Sequence, residues 1–323
     1  MTTDLALNRI IGQHEGKERG PLLIALGGIH GNETAGVRAL DYILKMLEVE
    51  PITNPDFLFR GRMTALLGNI KAYSKRVRFI DKDLNRIWKQ SHIDDFRNSE
   101  SLPFHEALEM LELLDIIEQE ISLYQPDRII FLDIHTTSSH GGIFAIPGKS
   151  EGSLELATNL HAPVVDGMLH GISGTTAHYF TSENIGIPVD TVIFEAGQHD
   201  DPLSINRSIA CVINCMRTIG CVDDKDVENI HDKILLEHAA NLPMISQLLY
   251  AHIITGNEDF KMLEGFNNFQ KVHKGEELAM DNNGIITSPY SGRILMPLYQ
   301  NQGSEGFFII TDNGVKGNYH NLI

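Results

Sequence analysis

A chain of 323 residues, 42% of them apolar, can bury a large core and is too long for one small domain, so two domains, or one with an appendage, are expected. Its formal charge of -17 argues against nucleic acid or an anionic membrane as partner, because phosphates are repelled at long range. Met1 to Gly20 lacks an apolar signal core and no run is long enough to span a bilayer, so a soluble cytoplasmic protein is expected.

Pro21 to Leu26 is a nearly uninterrupted apolar run that fits a buried strand, and Gly27-Gly28 breaks it. Glu33 to Leu47 then carries apolar residues at helical spacing, which places His30 and Glu33 in a strand-to-helix turn. A histidine and a glutamate three residues apart can face one ion there, because glycines let the backbone fold tightly. A solvated turn, or a phosphate cradle at the helix start, fits these residues equally well.

Pro51 to Arg60 reads as a loop, and Met63 to Leu67 as a second short strand ending in Gly68-Asn69. From Arg62 to Lys89 the chain places eight of its 26 basic residues, including Arg78 and Arg86, against only Asp81 and Asp83. In so acidic a protein this is the expected place for an anion, although charge runs are commonly only solvated faces. Phe104 to Tyr124 has the pattern of an amphipathic surface helix, stopped by Pro126.

Arg128 to Ile134 is a further buried-strand run and ends in Asp133-Ile134-His135-Thr136-Thr137. His135 repeats the context of His30 at a strand exit, and in alternating strand and helix chains such exits collect on one edge, where ligands bind. Asp133 is a candidate partner that would orient His135. Gly141 to Pro147 reads as a strand, and Lys149 to Pro188 as a long polar, glycine-containing passage. No lysine or arginine occurs between Lys149 and Arg207. The run Val189 to Phe194 delivers Glu195 to the same edge, and Ser204 to Ile219 is a helix. Its cysteines, Cys211 and Cys215, and the nearby Cys221 lack paired spacing and read as reduced core residues.

The composition changes after about Asn241. From Asn257 onward short alternating runs, with cores at Ile285-Ile286, Arg293 to Met296 and Phe307 to Ile310, are separated by glycines and asparagines, which predicts a small all-β domain. The expected division is therefore 1–240 and 241–323. Gly284 to Pro297 is somewhat similar to a biotinyl or lipoyl carrier, but the hairpin after Leu295-Met296-Pro297 lacks the lysine such carriers modify, so a shaping role is expected. Nothing in the sequence places Tyr290 or Tyr299.

Two histidines and one carboxylate form a zinc site with room for water or substrate. Zinc lowers the pKa of its water to roughly 7 and polarises a carbonyl oxygen. Hydrolysis also needs a base, for which Glu195 is the candidate, and a cation near the oxyanion, which Arg78 or Arg86 could supply.

With these pieces in place the chain resembles the succinylglutamate desuccinylase and aspartoacylase family of the zinc carboxypeptidase superfamily. Gly28-Ile29-His30-Gly31-Asn32-Glu33 is similar to its first metal motif, Asp133-Ile134-His135-Thr136-Thr137 to the segment with its second histidine, Asp83-Leu84-Asn85-Arg86 to its substrate-carboxylate motif, and Phe194-Glu195-Ala196-Gly197 to the segment with its base. The four occur in the family's order between about Pro21 and Ile219. The resemblance implies one Zn2+ held by His30, Glu33 and His135, with Glu195 as general base. It also implies that Arg78 stabilises the oxyanion and that Asn85 and Arg86 hold the substrate's α-carboxylate.

The implied fold is a mixed sheet flanked by helices, with a C-terminal β domain bordering the active site. The implied reaction is hydrolysis of a small N-acyl amino acid. Aspartoacylase also uses an arginine shortly before the base to bind an acidic side chain, whereas Tyr179 to Val192 contains no basic residue, so a non-acidic side chain is expected. The alternatives are a metallocarboxypeptidase acting on small peptides and a non-catalytic metal-binding protein. A homo-oligomer is left open.

Overall fold

The computed structural model describes residues 7–227, 230–256 and 258–312. The first six residues, Asn257 where the alternating pattern was expected to begin, and residues 313–323 of the expected β domain lie outside the described residues.

The described residues form strands β1 (Ile10–Glu15), β2 (Glu18–Gly27), β3 (Arg60–Leu67), β4 (Ile129–Thr137), β5 (Phe144–Pro147), β6 (Val164–Asp166) and β7 (Val189–Gln198). After a helix over Leu203–Thr218 and another over Ile230–Ala239 come β8 (Ile245–Ile253), β9 (Lys261–Met262), β10 (Lys271–Val272), β11 (Glu277–Asp281), β12 (Gly284–Thr287), β13 (Gly292–Leu295) and β14 (Glu305–Ile310). One sheet runs β1-β3-β2-β4-β7-β5-β6-β8-β14-β13-β10, and a smaller one runs β12-β11-β9. The architecture is the expected mixed α/β one, a large mixed sheet flanked by helices, with additional C-terminal strands.

The centre of the sheet explains the apolar runs. β3, β2, β4 and β7 are parallel neighbours, and all nine residues of β4 are buried. A strand covered on both faces cannot alternate apolar and polar residues, so it reads as continuous hydrophobic sequence. Leu23, Ala25, Ile130, Leu132 and Val192 pack with the helices over Thr34–Thr53 and Leu203–Thr218, whereas Leu22, Ile24, Leu26, Ile129 and Phe131 pack with the helix over His105–Tyr124. Each of these leucine, isoleucine, valine and phenylalanine side chains contributes about 1.5 to 3 kcal/mol on burial. Cys211, Cys215 and Cys221 lie in the first of these cores as free thiols.

Several boundaries differ from the sequence reading. The helix begun at Thr34 continues through Pro51 to Thr53, and the loop starts only at Asn54. A proline in the last turn removes a single backbone bond, and the Asn54 N–H still reaches the Glu50 carbonyl at 2.8 Å. β5 starts at Phe144, because Gly141 lies at a φ of 121° and bridges to Asn268 instead. The polar passage contains a helix over Glu151–Asn159, capped by Ser150, as well as β6. β8 pairs in parallel with β6, so the C-terminal strands β8, β14, β13 and β10 prolong the main sheet. Among the described residues no helix is long and apolar enough to cross a membrane.

Candidate active site

The parallel register brings the strand exits together. Gly27 of β2 is level with Ile134 of β4, Ile134 is level with Phe194 of β7, and His135 sits directly beside Glu195. Beyond β2 the chain turns at Gly28, whose φ of 69° favours glycine. A Cβ on Gly31 would lie 2.0 Å from the Ala72 carbonyl carbon, so only glycine lets this turn pack against the helix over Ile70–Lys75. The turn delivers His30 to the edge and leaves Glu33 at the N-cap of the helix over Thr34–Thr53.

His30, Glu33 and His135 converge, all buried, with one potential ligand atom of each within 4.8 Å of the others. His30 Nδ1 is 2.8 Å from Glu33 Oε1, and His135 Nδ1 is 3.0 Å from Glu33 Oε2, which also accepts the Thr136 N–H at 2.9 Å. Burial pushes the Glu33 carboxyl up, yet the His30 and His135 imidazoles hold it well below the usual carboxylate range.

The outer nitrogens also face carboxylates. His30 Nε2 lies 3.1 Å from Asp83 Oδ1, and His135 Nε2 lies 3.2 Å from Asp133 Oδ2. An imidazole that donates Nε2–H outward presents its Nδ1 lone pair inward, the arrangement seen around metal-ligating histidines. Asp133 in turn accepts the Thr176 hydroxyl at 2.7 Å. Burial lowers the His135 pKa, but Asp133 and Glu33 together hold it well above the ordinary imidazole value.

Glu195 is buried, and its Oε2 has no hydrogen-bond partner among the described residues. Burial pushes its carboxyl up to about 8, against the opposing pull of His135. Two inward nitrogens, one carboxylate and an adjacent unsatisfied carboxyl are a donor set suited to a divalent cation such as zinc.

Arg78 lines the same cleft, its Nε and Nη2 donating to Asp83 Oδ2 at 3.0 and 2.9 Å, with Nη1 3.6 Å from Glu33. Asp83 is held well below the usual range, burial being outweighed by Arg78, His30 and Arg86. The loop that carries these residues hangs on fully buried Glu106, which accepts the Ile80, Asp81 and Lys82 N–H groups at 2.7, 3.1 and 3.0 Å and Asn69 Nδ2 at 3.1 Å. The helix over His105–Tyr124 is thus amphipathic, but three of its acids, Glu106, Glu109 and Glu120, are buried as hydrogen-bond acceptors.

Asn85 lies on the same wall, with Nδ2 3.4 Å from His135 Nε2 and Oδ1 accepting the Thr176 N–H at 2.9 Å. Arg86 pairs with Glu305 of β14. The basic stretch does not form one anion-binding face, since Arg62 pairs with Glu15 and Glu120 away from this edge.

The segment before β14 ties itself to the strand-exit rim. Ser138 Oγ accepts the Tyr299 N–H, Gln300 accepts from Asn32 at 3.0 Å, and Gln302 accepts the Arg78 N–H at 3.1 Å. The Tyr299 hydroxyl instead donates to the Leu263 carbonyl at 2.8 Å, and Tyr290 is half exposed outside the cleft.

The model of the Succinylglutamate desuccinylase/Aspartoacylase catalytic domain matches residues 19–219. The chain belongs to that family. A succinylglutamate desuccinylase from Shewanella sp. (strain W3-18-1) is 25% identical over 284 residues, 83% of this chain and 74% of that protein. One from Pseudomonas fluorescens (strain Pf0-1) is 33% identical over 149 residues, 44% of this chain and only 40% of that relative's length. The solved structure of succinylglutamate desuccinylase from Vibrio cholerae shares the fold, with a TM-score of 0.62 at 17% identity over 92% of this chain and 82% of that one.

The family is one of acyl-amino-acid amidohydrolases, and the relatives named here are hydrolases. The residues singled out from the sequence, His30, Glu33, Arg78, Asn85, Arg86, His135 and Glu195, all line one cleft of this family member. Sequence reasoning did not find the pairing of Asp83 with His30, the loop support by Glu106, or Glu305. Asp83 stood within a recognised motif, so its position was visible although its partner was not.

Proposed function

We propose that the chain is a zinc-dependent amidohydrolase that cleaves a small N-acyl amino acid or related amide. The observation that carries this reading is the pair of imidazoles that turn Nδ1 toward Glu33 and Nε2 toward a carboxylate, beside a Glu195 carboxyl whose Oε2 has no hydrogen-bond partner among the described residues. His30, Glu33 and His135 would hold one zinc ion. The chemistry a zinc ion supplies at such a site is Lewis acidity toward water and a carbonyl oxygen.

The protein's own groups do the rest. Glu195 takes the proton of the attacking water and returns it to the leaving nitrogen, and a cation at the site draws its raised pKa down toward the working range. Arg78, fixed by Asp83, offers positive charge where the oxyanion develops. Asn85 and Arg86 stand on the wall where the amine half of the substrate would lie.

The pocket suits a non-acidic substrate. Arg78 and Arg86 are the basic residues on its lining, and each is paired with a carboxylate. Ile146, Met168, Ile172, Met296, Leu298 and Phe308 make the remaining wall apolar. The bonds from residues 299–302 to Ser138, Asn32 and Arg78 hold that segment against the strand-exit rim, which supports a small amide over a peptide as substrate. On the same reading the protein is cytoplasmic and engages neither nucleic acid nor membrane, in keeping with its charge of -17. Residues 241–312 act as the domain that borders the site, and homo-oligomerisation is compatible with this.

The test is amine release from N-acetyl, N-succinyl and longer N-acyl amino acids, and from the α-amides of the same compounds, by zinc-loaded and chelated protein. Zinc-dependent release from members with neutral side chains is expected. Fast turnover of N-acetylaspartate or N-succinylglutamate would overturn the specificity, and no release from any member at full zinc occupancy would overturn the reaction.

A further inference from the structure

Arg86 occupies the position at which the family resemblance implies a clamp for the substrate's α-carboxylate, yet its guanidinium already holds a carboxylate of this chain. Nε donates to Glu305 Oε1 at 2.9 Å, Nη2 donates to Glu305 Oε2 at 2.6 Å, and Nη1 donates to the Asn85 carbonyl at 2.6 Å. Glu305 also accepts the Ser304 hydroxyl at 2.8 Å, and its side chain is 11% exposed. Two parallel N–H bonds to one carboxylate fill the edge of the fork that gives arginine its bidentate recognition.

Among the described residues of the lining, no other lysine or arginine is free to replace it. Arg78 is bound through Nε and Nη2 to Asp83, and the walls nearby are Ile172, Met296, Leu298 and Phe308. A second carboxylate brought to Arg86 would meet Glu305 as a like charge in a partly desolvated pocket, where repulsion is weakly screened. Like-charge juxtaposition is a common means of rejecting a ligand.

We propose that Glu305 is a specificity-determining residue: by neutralising Arg86 it selects N-acyl compounds whose amine half is uncharged at this wall and rejects those that present a carboxylate there. The inference rests on the reading of the site as an amidohydrolase and names the substrate class that site admits. Glu305 touches neither the ligand triad nor Glu195 through any hydrogen bond described, so its effect falls on selection.

The experiment measures calorimetric binding of N-acetyl-L-leucine and N-acetyl-L-leucinamide to zinc-loaded wild type and to Glu305→Gln. The wild type is expected to favour the amide by about tenfold or more, and Glu305→Gln to raise affinity for the acid by about tenfold while changing the amide by less than about threefold. Adding Arg86→Gln to Glu305→Gln should abolish the gain. Glu305→Asp, too short to span both nitrogens in the same way, should give a smaller gain in the same direction and serves if Glu305→Gln does not fold.

Equal wild-type affinity for acid and amide overturns the proposal, as does acid binding that is unchanged, weakened or absent in the variants. Amine release from the same two compounds separates the two ideas. A binding switch without turnover sustains the role of Glu305 and sinks the amidohydrolase reading, whereas turnover without a switch sinks the role of Glu305 alone.

Discussion

Two stretches of the chain meet at the cleft and contribute different things. His30 to Glu195 supplies three buried ligand candidates, the unsatisfied carboxyl and Arg78, all at or beside the exits of parallel strands. Met296 to Phe308 supplies apolar side chains and a single charge, Glu305, from β14 and the segment before it. The first stretch is fixed by a register that leaves His135 no alternative to lying beside Glu195. The second reaches the site through hydrogen bonds to Asn32, Arg78, Phe79, Arg86 and Ser138 and through the packing of Phe308 in one apolar core with Ile146, Met168 and Ile193. The division separates reaction from selection: changes in the first stretch should abolish chemistry, and changes in the second should redirect it.

The largest effect is expected from His30→Ala or His135→Ala, which should leave no zinc after dialysis and reduce turnover to background. Zinc content and amine release measured on the same sample check this; either variant retaining full metal and activity would break the comparison at its root. Next is Arg78→Ala, expected to lower kcat by about 10²- to 10³-fold with zinc retained, the size of losing one oxyanion donor. Unchanged kcat with a raised KM would instead make Arg78 a binding residue.

A smaller effect sharpens the contrast within the first stretch. Asp83→Asn and Asp133→Asn should each weaken zinc affinity by about 10- to 100-fold, because each carboxylate orients one imidazole. Competition against a chelator of known affinity measures it, and an unchanged zinc affinity in both would deny these pairs their orienting role.

The smallest effect belongs to the second stretch. Burial raises the Glu305 carboxyl, but the hydrogen bond and charge of Arg86 bring it below its ordinary value. A depressed carboxylate contributes stability above its unfolded pKa of about 4.3 and loses it as pH falls through the folded value. Glu305→Gln should therefore be less stable than wild type at pH 7 by about 1 to 3 kcal/mol, the worth of hydrogen bonds to a charged group. The gap should close as pH falls through the folded value of that carboxyl, below its ordinary range, where wild-type Glu305 becomes neutral as well. Denaturant unfolding at several pH values measures it, and a gap independent of pH would contradict the ion-pair account.

The legible parts of the molecule were those fixed by local pattern. Strands buried on both faces gave continuous apolar runs, so β2, β4 and β7 and the polar residues at their exits stood out, and with them His30, Glu33, His135 and Glu195. What stayed hidden depends on tertiary placement. β8 is mostly half-buried and lacks such a run, so its parallel pairing with β6, which joins the C-terminal strands to the main sheet, left no local trace. Glu106 looked like any acid on a solvated helix face, because the three backbone N–H groups that need it come from a loop 24 to 26 residues earlier. Glu305 lies 219 residues from Arg86, and no periodicity links them.

The most direct test of the central claim is the turnover of Glu195→Gln at full zinc occupancy. The account predicts one zinc per chain, as in wild type, with kcat lowered by about 10²- to 10⁴-fold, since the change keeps size and hydrogen bonding while deleting the base. Turnover close to wild type with zinc bound would contradict it.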